Sequence, residues 1–190
     1  MSKDATQFSD SSRLSTHSPL FAQLLGERLA RLPPTVRALH SRPGVAHYRG
    51  EVTVERCEGR LSRLCARATR LPPAGTGAIA VEIDAQPGTE HWTRRFFGHV
   101  MPSRLWPRDG LLCERLGMAR FAFALDVRDG VLTWAVASVH VLGLPLPARW
   151  FARVHAREFE HEGRYGFEVD TALPLAGRIV RYQGWLELQE

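Results

Sequence analysis

Apolar and polar residues alternate with a period of two through most of this chain, and nowhere more clearly than between Arg149 and Leu188. There Tyr165, Phe167 and Val169 alternate with Gly166, Glu168 and Asp170. Further on, Val180, Tyr182, Leu186 and Leu188 share one parity, opposite Ile179, Arg181, Gln183, Trp185 and Glu187. Such alternation predicts strands with one packed face and one wetter face. Gly163 after Glu162 predicts a hairpin tip, and the run from Leu173 to Gly177 a second reversal.

Upstream the same pattern recurs. Tyr48, Gly50, Val52 and Val54 alternate with polar neighbours, as do Ile79, Val81 and Ile83 after Gly77. Pro87-Gly88 turns the chain, His91 to Phe97 returns, and a reversal follows near Gly98. Asp109-Gly110 and Asp129-Gly130 are favourable two-residue tips, because both residue types tolerate positive φ. Phe121, Phe123, Leu125 and Val127 form another apolar face. Val131 to Leu142 is apolar on both parities, which predicts a central strand covered on both sides. The proline-rich run from Leu142 to Pro147 reads as a stiff crossover.

Three short stretches are helical instead. Leu20, Phe21, Leu24, Leu25 and Leu29 share a face behind Ser18, a credible N-cap. Pro34 starts a second helix running to His40, after Leu32-Pro33. Leu61, Leu64, Cys65 and Ala68 follow i, i+3, i+4, i+7 spacing before Leu71-Pro72-Pro73. Turn signals at about ten-residue spacing favour a sandwich or barrel over alternating β-α units. The expected class is therefore α+β, mainly antiparallel: a curled or closed barrel-like sheet of about nine or ten strands with short N-terminal helices. Residues 1–17 read as a disordered lead and 18–190 as one domain.

Composition narrows the functional classes. The net charge is +5 and the pI about 9.7, but Lys3 is the only lysine and the arginines are scattered along the sequence. That distribution argues against nucleic-acid binding, which needs a concentrated basic stripe. No apolar run approaches the roughly 18 residues of a membrane span. The first residues are too polar for a secretory signal. Cys57, Cys65 and Cys113 fit neither a disulfide framework nor a zinc site, so a reducing, cytoplasmic setting is expected.

Several pieces, in order, resemble the bacterial family catalogued as domain of unknown function 4166. They are Pro19-Leu20-Phe21 with Leu25-Gly26, Leu32-Pro33 with Val36-Arg37 and Leu39-His40, Leu71-Pro72, and Glu90-x-Trp92-x-Arg94. Glu114-Arg115 before Gly117, the run from Gly143 to Pro147, Gly163-Arg164-Tyr165-x-Phe167, and Tyr182-x-Gly184-Trp185 continue the series. One departure is Phe96-Phe97-Gly98, where a single phenylalanine before glycine is expected. The resemblance implies a domain found alone or behind a saccharopine-dehydrogenase-like, nicotinamide-dependent oxidoreductase. No dinucleotide-binding stretch lies within these 190 residues.

The common catalytic motifs are missing. Gly75-Thr76-Gly77 lacks the rest of a phosphate loop and reads as a turn, and there is no G-x-S-x-G or H-E-x-x-H. His155 and His161 lie roughly 20 Å apart on an extended strand, too far to share a metal. No catalytic residue, metal ligand or cofactor site is therefore assigned.

Charged residues on apolar strand faces are more informative. The parity that buries Trp92 and Phe96 also turns Glu90 and Arg94 inward. Glu158 shares a parity with Val154 and Ala156, against Phe159 on the other. One of Glu114 and Arg115 faces the interior, and His140 shares a parity with Trp134, Val136 and Leu142. Arg94 would pair with Glu114 or Glu158, since an inward charge is costly alone. The candidate ligand-binding set is Trp92, Arg94, Glu114, His140, Glu158, Tyr165 and Tyr182, with Phe121 as further wall. The same residues could equally form a structural salt bridge. The leading expectation is a binding domain for a largely apolar small molecule. A module beside an oxidoreductase, or self-association through Trp150, Phe151 and Trp185, is the alternative. An acid–base enzyme using His140 and Glu158 is the third reading.

Overall fold

The computed structural model describes residues 18–57, 59–174 and 176–188, so the lead expected over 1–17 lies outside the described residues. Within them the alternating stretches become eleven antiparallel strands. These are β1 (Gly44–Arg56), β2 (Gly75–Gln86), β3 (Thr89–Phe96), β4 (His99–Arg108), β5 (Leu111–Leu116), β6 (Ala119–Arg128), β7 (Val131–Val141), β8 (Leu144–Leu146), β9 (Arg153–His161), β10 (Arg164–Leu173) and β11 (Gly177–Glu187). Each pairs with its sequence neighbour from β1 to β7, β9 to β11 do likewise, and β11 pairs with β1. Pairing of β7 with β9 closes a ten-stranded barrel, leaving β8 as an extra strand. Closure leaves one weak seam. β7 pairs with β9 only over Leu132–Ala135, and β8 takes the same edge of β7 over Val139–Val141.

The register assigns every strand end to one of two rims. One rim is closed by helices α1 (Leu20–Leu25) and α2 (Pro34–Ser41), joined by a 3-10 segment over Gly26–Arg31. Leu20, Phe21, Leu25, Val36 and Leu39 are buried and join the interior core, so the N-terminal apolar stripe forms a plug. Arg28 donates to the Leu125 carbonyl and Thr35 to Glu160, which fixes the plug to β6 and β9. At the other rim lies α3 (Arg60–Thr69), which rests on β11, with Ser62 Oγ donating to the carbonyls of Cys57 and Ile179.

Four local expectations are corrected. Pro19, not Ser18, precedes the first helix turn without a side-chain cap, and α1 ends at Gly26. The run after Leu142 is a hairpin into β8 rather than a crossover, because Leu142-Gly143 adopts φ of 52° and 84°. β7 is not covered on both faces: Ala135 and Ala137 are exposed, and the double-sided apolar pattern comes from a register shift opposite Ala122/Phe123. Gly75-Thr76-Gly77 begins β2, and the Phe97 ring lies where side chains at Gly75 and Gly77 would stand.

Candidate functional site

Inward-facing side chains of the barrel do not fill it. They surround a cavity of about 500 Å³ that runs from the plug to α3. Its walls are largely apolar, from Ile79 and Val81 on β2 through Phe121, Phe123 and Trp134 to Phe167 and Val169. At the plug end, aromatic rings form a layer. Phe21 stacks on His40 with centroids 3.6 Å apart and lies 5.7 Å from Trp134 and 6.4 Å from Trp92. At the α3 end the lining changes to Leu64, Cys65, Ala68, Thr69 and Met118, which belong to the rim itself.

The polar groups of the cavity follow from strand parity. Glu90, Trp92, Arg94 and Phe96 lie on one face of β3, and neighbouring registers bring Ser103 of β4 and Glu114 of β5 alongside. Arg94 Nη1 donates to Ser103 Oγ at 2.9 Å and to Glu114 Oε1 at 3.3 Å. Its guanidinium also stands 4.7 Å from the centre of the Trp92 ring. Tyr182 and Tyr165 face the same space. Burial pushes the Tyr182 phenol up to about 12 against the lowering influence of Arg94. Burial, reinforced by the Glu158 carboxylate, pushes Tyr165 well above the ordinary phenol range. Both phenols therefore keep their protons at neutral pH and act as donors.

A second polar group ties the plug to the barrel. His40 Nε2 meets Glu158 Oε2 at 2.5 Å, with both side chains almost wholly buried. Glu90 accepts from Trp92 Nε1 at 2.7 Å; burial raises its carboxyl pKa, while that bond and His40 lower it. Glu158 lines the cavity although His40 is shielded behind Phe21, so the pair belongs more to the wall than to an acid–base centre. Its Nδ1 is buried without a partner among the described residues, and so is the indole Nε1 of Trp134.

Six of the seven sequence candidates line this one cavity: Trp92, Arg94, Glu114, Glu158, Tyr165 and Tyr182. Arg94 pairs with Glu114, whereas Glu158 is taken by His40. Phe159, which argued against an inward Glu158, packs its ring over the bare backbone of Gly166 on the opposite face. His140 does not join the set. The shift that places Phe123 opposite Val136 and Ala122 opposite Ser138 leaves Ala137 as an extra residue. A bulge exchanges the faces beyond it, so Val139 and Val141 line the cavity and His140 drops out. Sequence reasoning missed His40, Ser103 and Trp134. For His40 a signal existed, because it follows Val36 and Leu39 on the buried face of α2.

Among the described residues, no group of three or more His, Cys, Asp or Glu side chains could hold a metal ion, and no helix is long and apolar enough to cross a membrane. A family model described as Domain of unknown function (DUF4166) matches residues 32–186, most of the chain and all of the fold above except α1, the 3-10 segment and the last residue of β11. The chain belongs to that family. No curated protein matches it.

Proposed function

We propose that this member of the DUF4166 family binds one largely apolar small molecule inside its barrel. The observation that carries this reading is the unfilled cavity of about 500 Å³, largely apolar along its walls, with a polar patch around the Arg94–Glu114 pair. Such a volume lies within the range of about 300–1,000 Å³ usual for small-molecule sites. A protein interior is otherwise packed without voids of this size.

The polar patch favours a ligand with an acceptor oxygen at one end. Arg94 spends Nη1 on Ser103 and Glu114, and arginine has further donors in its fork. Tyr182 is a protonated phenol, and the Trp134 indole N–H has no partner among the described residues. A hydroxyl, carbonyl or carboxyl oxygen would satisfy these donors, and the hydrocarbon portion would extend toward α3. The reading is tested by titrating the protein with a fluorescently labelled fatty acid and by native mass spectrometry of the protein as purified. Saturable one-to-one binding is expected, abolished by Ala156→Phe, which fills the cavity, and weakened about tenfold by Arg94→Met. Uptake unchanged by Ala156→Phe, or no uptake at all, would remove the cavity as a binding site.

A further inference from the structure

The open rim carries a surface that the barrel itself does not require. Leu61 and Leu64 on α3, Met118 and Leu142 on two turns, Leu144 on β8 and Trp150 beyond it are all exposed. They are contiguous through the backbone: Met118 N–H donates to the Ala68 carbonyl, and Leu142 N–H to the Met118 carbonyl. Of these, Leu142 is 74% exposed and Leu64 65%, values that no packing role explains. Around them stand the exposed arginines Arg60, Arg63 and Arg67 of α3 and Arg70 just after it, together with Arg149 and Arg153. Asp170 on that side is already paired with Arg178.

Backbone geometry makes the apolar choice more pointed. Leu142 and Phe97 occupy the first position of two-residue turns with φ of 52° and 47°, a region where large side chains are disfavoured and Asp or Asn is preferred. At the opposite rim, equivalent tips carry Asp109, Asp129 and Glu162 with φ of 50–53°. The fold thus accepts acidic tips at one end and holds strained apolar ones at the other.

We infer that the α3 rim docks on an anionic lipid bilayer, with the apolar side chains entering the interface and the arginines meeting lipid phosphates. Mixed apolar and basic character on a short amphipathic helix is what interfacial binding needs, and each basic residue near such a surface adds to the attraction. A second copy of this basic rim would meet it with like charge, which disfavours self-association there. The cavity reaches Leu64, Cys65 and Met118 of the same rim, so a ligand leaving there would pass between barrel and bilayer without crossing water. That last point rests on the binding reading above; the docking surface does not.

Co-sedimentation with phosphatidylcholine vesicles, with and without added phosphatidylglycerol, tests the docking. The protein should pellet with the anionic vesicles and far less with the neutral ones, and salt should release it. Replacing Arg60, Arg63 and Arg67 by Gln should weaken partition on the order of 100-fold, and Leu64→Glu with Leu142→Glu should abolish it. These side chains are exposed, so a matching thermal transition shows that each variant is folded. Ala156→Phe separates the two proposals, since it should end ligand uptake and leave vesicle binding unchanged. Failure to pellet with anionic vesicles, or pelleting indifferent to Leu64→Glu with Leu142→Glu, would overturn the docking. So would a dimer in sedimentation velocity that those substitutions dissolve, because it would assign the rim to a second copy.

Discussion

The two ends of this barrel are built from the same turns and serve opposite purposes. At the plug end, tips such as Asp109-Gly110 and Asp129-Gly130 are polar, while the apolar residues of α1 and α2 are turned inward and buried. At the α3 end, the apolar residues are on the tips and on the exposed side of the helix. Charge divides in the same way, although the arginines look scattered along the sequence. Folding gathers Arg60, Arg63 and Arg67 on one helix, with Arg70 at its end, and brings Arg149 and Arg153 to the same rim. The helices of one rim are therefore sunk into the core, and the exposed apolar surface lies at the other.

That contrast predicts a steep gradient in the effect of truncation. Phe21→Ala removes a fully buried ring that touches His40 and the two tryptophans Trp92 and Trp134. It should cost about 3–5 kcal/mol by denaturant titration. Trp150→Ala, at the open rim, should change stability by less than about 0.5 kcal/mol. Comparable losses at both positions would mean that the open rim is also part of the core.

Within the cavity the expected effect is intermediate. Arg94→Met leaves the Glu114 carboxylate facing an apolar space with its cation gone. A loss of about 2–3 kcal/mol follows from such an orphaned partner. Because Arg94 also faces the ligand space, fatty-acid affinity should fall in the same variant. Adding Glu114→Gln to Arg94→Met removes the orphaned carboxylate and should recover most of that stability.

How far the sequence could lead differs between these regions for a physical reason. Strand parity is local, so the inward turn of Trp92, Arg94, Glu158, Tyr165 and Tyr182 was legible from alternation alone. So was the barrel class, from turn spacing and strand number. His140 was misplaced because one extra residue at Ala137 exchanges the faces, and nothing in Val136-Ala137-Ser138 marks a bulge. The choice of Glu114 over Glu158 as partner for Arg94 depends on which strands close the barrel and on His40 arriving from α2. The open rim was hidden for the same reason: its residues come from α3, two distant turns and β8, and they adjoin only when the register is known.

A smaller effect distinguishes the plug end by pH. Burial raises the Glu90 carboxyl above its ordinary 4.5, so the folded state holds that proton more tightly than the unfolded chain. The sign follows: this contribution to stability is fully present below the ordinary carboxyl pKa and is lost as pH rises through the raised value. Glu90→Gln should flatten that decline in a series of melting curves and leave the protein more stable than the parent at neutral pH. An unchanged slope would mean that the carboxylate is accommodated ionised, through Trp92 and His40.

The smallest predicted change is the most direct comparison of the two ends. Leu142→Asp places at the open rim the residue type that the closed rim already uses at Asp129. The left-handed conformation at φ 52° is easier for aspartate than for leucine, and the leucine is largely exposed, so nothing is lost from the core. Stability should rise slightly, by about 0.5–1 kcal/mol. The reverse exchange, Asp129→Leu, should lower it by a similar amount, without creating vesicle binding at the plug end. If Leu142→Asp is instead destabilising, the leucine is held by contacts that serve the fold. If it stabilises the barrel while weakening its hold on anionic vesicles, the strained apolar tip is kept for the surface it meets.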